Sequence, residues 1–459
     1  MIEIRQRPTK SALGVCLVFV YLLVSCSSVE STTGGGSGDE IHLVPVFTAV
    51  DSILQAAVDE ELVAGAVLMV GLDGETAHET AFGYAQRYEY SLERMANPKV
   101  DPPEMTLATV FDLASLTKVF ATTFGMMLLV DHNRIDLDAP VSNYLPAFSG
   151  VAKDSVTVRR LLTHSAGLYP WKPLYYHSDN KQDTYAYISD LELAYAVGQE
   201  RHYSDLGFML LGYIIEEVSG QPLDVFVSKS LYEPLGLNTT GYLPLGPSSS
   251  KKPSISSGQG PTPTPSDQAS SDQAGGSTQF AATSHGNPFE RKMVGDDDFG
   301  YLCDEDVGSF QGWRRRVLIG EVNDGNAFHA NGGVAGHAGL FSSAADLQVL
   351  LTLLVNKGVL AGKRYLSEDV IDQFLTRDRH GHGLGWAMSS DVLPVNDLPE
   401  GTFGHTGFTG TYALAVPEYG LTIILLTNRQ NVGVDSTGRY NSVTALRRQV
   451  AESLIEAVR

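Results

Sequence analysis

The two ends of this 459-residue chain carry matching patterns of secondary structure, and this symmetry limits the possible folds more than any other feature. Helical apolar spacing over Val46–Leu62 precedes a β-like run at Ala66–Val70 and a second strand after a turn. Near the C-terminus, Thr411–Val416 and Leu421–Thr427 are typical of a hairpin, and a helix is predicted from about Ser442 to Val458. The pattern predicts an α+β fold, an α/β sandwich in which one antiparallel sheet is formed by both chain ends and flanked by helices.

The middle of the chain predicts a long excursion from this sheet. Helical periodicity dominates residues 111–243, so we expect an inserted, mostly helical domain there. The sheet domain then comprises residues 44–110 and 300–459. In the segment between the helical domain and residue 300, serine, proline, glutamine, glycine and threonine dominate, and few apolar residues are left to form a core. We therefore predict a low-complexity, disordered insertion at residues 244–299.

The first residues predict export. A positively charged start is followed by a short apolar run, Ala12–Val24, which suits a signal peptide better than a membrane span. The run ends in Leu-Val-Ser-Cys at Cys26, which resembles the lipobox of bacterial lipoproteins. We predict a signal peptide at 1–25, lipidation of Cys26 and a flexible tether at 26–43, with anchoring to a bacterial membrane (the outer membrane if one is present). A plain secretory signal is the alternative.

Charge and missing signatures exclude several functions. The net charge is −21, from 32 basic and 53 acidic residues, so no basic footprint for nucleic acid exists. The sequence contains no HExxH zinc motif, no phosphate-binding loop and no G-x-S-x-G nucleophile elbow. We expect no metal and no cofactor.

A serine and a lysine three residues apart form the first candidate for chemistry. On a helix, Ser115 and Lys118 share one face, so the amine can reach the hydroxyl. The N-terminal end of a helix also favours negative charge on a serine nucleophile. The same spacing recurs at Ser178/Lys181, Ser248/Lys251 and Ser249/Lys252, but only Ser115 precedes a long apolar helix.

Two further segments complete a possible site. Tyr203-Ser204-Asp205 begins a second apolar helix, where a phenol could relay protons; capping of the helix by Ser204 or Asp205 is the simpler interpretation. His405-Thr406-Gly407 precedes the C-terminal hairpin, where a strand edge could bind an extended substrate and donate a backbone N–H. An ordinary glycine-rich entry to a strand is the alternative.

In this order, the three segments resemble the S-x-x-K, Y-x-N and K-T-G motifs of the serine β-lactamase and penicillin-binding-protein family. Two more segments are similar to its class C-like branch: residues 158–168 (VRRLLTHSAGL) and 332–341 (GGVAGHAGLF). The resemblance runs from about Val46 to the C-terminus, except for the insertion.

The resemblance implies a role for each matching residue. Ser115 would be the acylated nucleophile, Lys118 its activating partner and Tyr203 the proton shuttle. Substrate binding and the oxyanion hole would involve Asp205, His405, Thr406, Gly407 and Phe408, with backbone N–H groups of Ser115 and Phe408 as the oxyanion donors. His164 and His337 would only shape loops.

Two positions depart from the family pattern. His405 replaces the usual lysine, and a histidine is largely neutral at pH 7. Asp205 replaces the usual asparagine and adds a negative charge. Both changes weaken the case for penicillin hydrolysis and leave the substrate open.

The resulting hypothesis is a membrane-anchored serine hydrolase that acts through an acyl-enzyme on Ser115. Its substrate would be an acyl-D-alanyl-D-alanine peptide or a related cell-envelope amide, with peptidoglycan as a possible partner. A carboxylesterase or β-lactamase-like esterase is the second hypothesis. A catalytically silent lipoprotein that binds peptidoglycan or a partner is the third.

Overall fold

The computed structural model describes residues 40–245, 278–301 and 303–459, with side chains described from residue 43 onward. Its strands are β1 Gly65–Leu72, β2 Glu75–Gly83, β3 Phe111–Asp112, β4 Gly241–Tyr242, β5 Ala282–His285, β6 Val317–Ile319, β7 Leu340–Ser342, β8 Val359–Leu360, β9 Lys363–Arg364, β10 Phe403–Thr406, β11 Tyr412–Val416 and β12 Leu421–Thr427. Its α-helices are α1 Glu40–Asp59, α2 Phe124–Asp131, α3 Val158–Leu162, α4 Lys181–Asp190, α5 Asp205–Ser219, α6 Leu223–Val227, α7 Glu233–Leu235, α8 Pro288–Gly295, α9 Ala344–Val355, α10 Glu368–Phe374 and α11 Thr444–Val458.

A five-stranded sheet joins both ends of the chain, in the order β10-β11-β12-β1-β2. Every neighbouring pair is antiparallel, and Ala66 of β1 lies opposite Thr427 of β12. The predicted α+β fold, with one sheet formed by both chain ends, is confirmed.

Strand β1 is buried on both faces, which explains its unbroken apolar run. Ala66, Leu68 and Val70 pack with apolar side chains of α1 and α11. Val67 and Met69 point the other way, into the larger core that includes α9 and the helices of the excursion. The sheet therefore separates two hydrophobic layers, and the excursion lies against only one of them.

The N-terminal helix is longer than predicted. It begins at Glu40 instead of Val46 and includes Pro45. Pro45 is the sixth residue, beyond the four residues whose N–H groups have no partner within a helix, so it costs the helix one backbone hydrogen bond. The end of the predicted tether at 26–43 is therefore helical. The signal peptide, Cys26 and the rest of the tether lie outside the described residues.

The prediction of a disordered insertion at residues 244–299 is wrong for residues 278–299. Strand β5 pairs with β6, and helix α8 follows it. Apolar side chains return here, and Ala281, Ala282, Met293 and Val294 are buried. Burial of these apolar side chains stabilises the segment. Residues 246–277, where the low-complexity composition is concentrated, lie outside the described residues.

Residues His42 to Arg459 form one compact unit, so the division into a sheet domain and a helical domain remains a prediction. None of the helices in the described part of the chain combines the length and the apolar composition that crossing a bilayer requires.

Candidate active site

Ser115 lies at a sharp turn between a strand and a helix. Strand β3 ends at Asp112, Ala114 has a left-handed backbone with φ of 46°, and the helix begins directly after Ser115. A non-glycine residue in that region is strained and must be held by its surroundings. The buried Asp112 carboxylate accepts the Ala114 N–H at 2.9 Å and the Asn323 N–H at 2.6 Å. The turn thus presents Ser115 at the positive end of a helix.

Lys118 is fully buried, and its amine has several polar partners. Its Nζ lies 3.0 Å from Ser115 Oγ, 2.7 Å from Asp205 Oδ1 and 3.2 Å from the His337 carbonyl oxygen. The Tyr203 ring centre is 4.8 Å away. Lys118 also begins a π-helical turn that leads into α2, a local irregularity that is frequent at functional sites. The approach of Lys118 to Ser115 that the spacing predicts is present.

Lys118 keeps its proton at neutral pH. Burial alone would lower the pKa of Lys118, but attraction by Asp205 and Tyr203 outweighs burial and raises this pKa. Burial raises the pKa of Tyr203, so its side chain is a neutral phenol. The resting site therefore holds an ammonium between a serine hydroxyl and a carboxylate.

The other described Ser-x-x-Lys pair has no such arrangement. Lys181 forms an ion pair with Glu216 at 2.5 Å, and Ser178 hydrogen-bonds Thr184 at 2.6 Å. The two remaining pairs, at 248/251 and 249/252, lie outside the described residues. The surroundings of the lysine therefore distinguish Ser115 from Ser178, the other described serine with this spacing.

Tyr203 and Asp205 reach Lys118 from the start of α5. Ser204 caps this helix, because its Oγ accepts the Gly207 N–H at 3.2 Å. The Ser204 N–H donates to His164 Nδ1 at 3.0 Å, and the His164 and Tyr203 ring centres are 4.5 Å apart. Because Ser204 caps the helix, the side chains of Tyr203 and Asp205 are available to the site. His164 packs against Tyr203.

His405, Thr406 and Gly407 lie on the outer strand β10 and at its exit. Burial, together with the nearby charge of Lys118, lowers the pKa of His405 to about 3, so this side chain is neutral. At Gly407, a Cβ atom would lie 1.9 Å from Thr411 Oγ1, so a larger residue would force the strand exit to move. The strand thus comes close to the serine turn but brings no positive charge.

Two backbone N–H groups at the nucleophile have no hydrogen-bond acceptor among the described residues. Within the described residues, neither the Ser115 N–H nor the Phe408 N–H donates a hydrogen bond, and both residues line the same cavity. Arg447 donates to the Gly407 carbonyl at 3.0 Å, and Arg429 donates to the Phe408 carbonyl at 2.6 Å. The peptide groups on both sides of Phe408 are therefore fixed, as an oxyanion hole requires.

The cavity at Ser115 has a volume of about 190 Å³. Among its lining residues are five aromatic side chains, Trp171, Tyr203, Phe289, Tyr301 and Phe408, and three carboxyl groups, Asp205, Glu290 and Asp324. Phe289, Glu290 and Met293 belong to α8, and Tyr301 follows that helix. This wall was not predicted from the sequence, because α8 falls within the predicted disordered insertion. The apolar spacing of Phe289, Met293 and Val294 is the signal that could have revealed it.

Glu290 is a buried acid in this wall. Its Oε1 accepts the Gly325 N–H at 2.7 Å, and burial, reinforced by the nearby Asp324, raises the pKa of Glu290 to about 8. The carboxyl group is therefore mostly protonated at neutral pH and can donate a hydrogen bond.

Asp324 is paired with His337, because the Nε2 atom of His337 lies 2.9 Å from the Oδ1 atom of Asp324. Burial alone would raise the pKa of Asp324, but His337 and the Ala327 N–H outweigh it and lower this pKa. Ligand atoms of Asp205, Asp324 and His337 lie within 4.8 Å of one another, close enough to hold a metal ion. A cation there would compete with Lys118 for Asp205 and with His337 for Asp324, so we assign Asp205 to Lys118 and Asp324 to His337.

Together, the fold and this serine–lysine–tyrosine arrangement define a serine hydrolase. The family model described as "Beta-lactamase" matches residues 50–445. The chain belongs to the β-lactamase family and is a serine hydrolase of that family.

Two named relatives support the family assignment, and a solved structure shows the same fold. The chain is 34% identical to a Bacillus subtilis (strain 168) protein named "N-acetylmuramyl-L-alanine amidase", over 81% of this chain and 78% of that protein. It is 30% identical to an Escherichia coli (strain K12) protein named "Putative D-alanyl-D-alanine carboxypeptidase", over 79% and 77%. Among solved structures, EstCE1, described as a hydrolase with promiscuous acyltransferase activity, has a TM-score of 0.60 at 20% identity and covers 91% of this chain and 100% of its own.

Proposed function

We propose that this serine hydrolase cleaves the amide bond between the lactyl group of N-acetylmuramic acid and L-alanine in cell-wall muramyl peptides. The charge of the Ser115 cavity carries the proposal. Among the described residues, the lining includes three carboxyl groups, of which Glu290 is mostly protonated, and no lysine or arginine. Lys118 lies behind the lining and forms an ion pair with Asp205. A substrate that is neutral around the bond to be cleaved is complementary to such a cavity.

A D-alanyl-D-alanine substrate fits this cavity less well. Its terminal carboxylate lies only one residue, about 3.6 Å of extended chain, beyond the cleaved bond. That carboxylate would sit inside the Ser115 cavity, whose described lining includes Asp205 and no lysine or arginine, and the nearby His405 is neutral. In a muramyl peptide the first carboxylate of the peptide lies farther from the cleaved bond. The name of the Bacillus subtilis relative supports the same choice.

The aromatic side chains of the cavity support a sugar-bearing substrate. Ligand cavities typically combine aromatic surfaces with a few polar groups that orient the ligand. The five aromatic residues offer flat surfaces for a sugar ring, and the protonated Glu290 offers a donor to a carbonyl or hydroxyl oxygen.

Ser115 starts the reaction by attacking the lactyl carbonyl carbon, and its proton passes to the free amine form of Lys118. The Ser115 and Phe408 N–H groups stabilise the oxyanion. The C–N bond then breaks, Tyr203 and Lys118 return a proton to the leaving L-alanyl amine, and the lactyl group remains as an ester on Ser115. Water hydrolyses this ester along the same proton route and releases the carboxylic acid.

The proposal places the enzyme at the cell envelope. The predicted signal peptide and lipidation of Cys26 would anchor it to a bacterial membrane, where muramyl peptides and peptidoglycan are within reach. The nucleophile and oxyanion donors retain the roles that the family resemblance implies.

Incubation with two substrates tests the proposal. We expect the purified protein to release L-alanyl peptides from a muramyl peptide at least tenfold faster than it releases D-alanine from a muramyl-pentapeptide. Mass spectrometry of the products measures both rates. Faster release of D-alanine would contradict the proposal and favour the hypothesis of a D-alanyl-D-alanine carboxypeptidase. Turnover of p-nitrophenyl esters alone would favour the esterase, and reaction with no substrate would favour the silent binding protein.

The Asp205→Asn variant is expected to shift the pH profile to lower pH. Lys118 must lose a proton before it can accept one from Ser115, and Asp205 raises the pKa of Lys118. Without that carboxylate, burial dominates and lowers this pKa. At pH values below the plateau, kcat/KM should rise on the order of tenfold for each pH unit of displacement.

The Asp324→Asn variant is the matched control. Asp324 lines the same cavity but pairs with His337, so its removal should leave the ascending limb of the kcat/KM profile in place. An unchanged profile in Asp205→Asn would show that Asp205 does not control the proton of Lys118.

A further inference from the structure

Residues on two faces of helix α8 line two different cavities. Phe289, Glu290 and Met293 line the Ser115 cavity. Pro288, Arg291, Lys292 and Gly295, spaced three and four residues apart as one face of a helix requires, line a second cavity. One helix therefore forms a wall of both cavities.

The second cavity is large and its charged lining is mostly basic. Its volume is about 810 Å³, within the range of cavities that hold drug-sized ligands. Arg291, Lys292, Arg314 and Arg315 contribute to the lining, with Asp435 as the carboxylate among the described lining residues. Such a group of cations stands out in a chain whose net charge is −21.

Two of these cations have no acidic partner among the described residues. Arg314 is buried and donates to Asn287, Glu321 and backbone carbonyl oxygens, and Lys292 lies 3.8 Å from Asp296. Among the described residues, no carboxylate forms an ion pair with Arg291 or Arg315, and both side chains are exposed. Their guanidinium groups are therefore available to an anionic ligand, and guanidinium binds carboxylates in a bidentate manner.

We propose that this basic cavity is a second subsite, in which Arg291 and Arg315 bind the carboxylates of the acidic stem peptide of the substrate. The inference rests on the proposed function and deepens it. The Ser115 cavity holds the neutral sugar and the amide to be cleaved, and the basic cavity holds the acidic peptide that leaves.

The distance between the two faces of α8 suits this substrate. A helix with its side chains is about 10 Å across. Since an extended peptide spans about 3.3–3.6 Å per residue, the second and third residues of a stem peptide lie about 7–11 Å beyond the cleaved bond, which is comparable with the width of the helix. The acidic residues of a stem peptide follow L-alanine directly, so they extend beyond the Ser115 cavity, toward the far side of α8, when the lactyl amide is at Ser115. A terminal D-alanine carboxylate, one residue from the cleaved bond, could not reach it.

Direct binding tests the subsite without requiring turnover. The probe is L-alanyl-γ-D-glutamyl-diaminopimelate, compared with the same tripeptide whose carboxyl groups are amidated, and titration calorimetry measures both dissociation constants. We expect the acidic tripeptide to bind at least tenfold more tightly than the amidated one. The Arg291→Glu/Arg315→Glu variant should weaken binding of the acidic tripeptide at least tenfold.

Arg448→Glu is the control, because Arg448 is exposed on α11, away from the lining, and the substitution changes net charge in the same direction. It should alter binding less than twofold. Labelling of Ser115 by a fluorophosphonate should be unchanged in every variant, which shows that the fold and nucleophile are intact. With the muramyl peptide as substrate, the double variant should raise KM and leave kcat within about twofold.

Equal affinity for the two tripeptides, no detectable binding, or full affinity in the double variant would overturn the subsite. If the acidic tripeptide binds through Arg291 and Arg315 but no muramyl amide is cleaved, the proposed function fails and the subsite stands. If the amide is cleaved and the double variant behaves like Arg448→Glu, the function stands and the subsite fails.

Discussion

Replacing Ser115 by alanine is expected to abolish covalent labelling by a fluorophosphonate and to lower kcat by on the order of 10⁴-fold or more. The hydroxyl is 3.0 Å from Lys118 Nζ at the positive end of a helix, and no other group in the described site combines these features. Intact-mass measurement detects the adduct on the protein, and product release from the muramyl peptide gives kcat.

Ser178→Ala is the matched control for this variant. Ser178 has the same spacing to a lysine, but Lys181 is paired with Glu216, so labelling and kcat should match the wild type. Persistence of the adduct in Ser115→Ala would place the nucleophile elsewhere. A penicillin adduct on the wild-type protein would show that the cavity accepts a carboxylate beside Ser115, against the substrate proposed above.

Replacing Arg447 by methionine is expected to lower kcat by about 10²-fold, the effect of losing an oxyanion donor. Arg447 donates to the Gly407 carbonyl, which belongs to the same peptide group as the Phe408 N–H. A cation on the carbonyl oxygen orients this peptide group and polarises it, so its N–H becomes a stronger donor. Burial and the nearby Arg429 lower the pKa of Arg447 to about 9, and it therefore remains charged at neutral pH.

Arg447 is buried, so the variant could also lose stability, and two measurements separate the effects. Urea unfolding reports the folded fraction, and the affinity of a boronic acid that mimics the oxyanion reports the donor. We expect boronate affinity to fall in parallel with kcat/KM while KM changes little, and Arg447→Lys to recover part of both. Unchanged boronate affinity in the folded variant would mean that Arg447 does not act on the oxyanion hole.

Local sequence patterns were sufficient for the sheet and for the serine–lysine pair. Strand β1, the β11–β12 hairpin and α11 follow from side-chain periodicity, which short segments encode directly. Ser115 and Lys118 are one helical turn apart, so their contact hardly depends on the rest of the chain. The helix start at Glu40 was missed because Pro45 interrupts the pattern that marks a helix.

The wall formed by α8 was not predictable in the same way. Its residues follow a long stretch of low-complexity composition, and an average over the whole segment hides eight residues that fold. Packing of α8 against the large core stabilises it, and such packing is invisible to a local pattern.

The sequence by itself determined the α+β fold, the β-lactamase-type motifs and the candidate nucleophile, because periodicity and short spacings encode them. Only the tertiary structure decided the character of the site. Asp205, Glu290 and Asp324 are far apart in the chain and meet only in the folded cavity. The protonation of Lys118, His405 and Glu290 depends on burial and on neighbours through space, because the energy of a charge is set by its surroundings rather than by its place in the sequence.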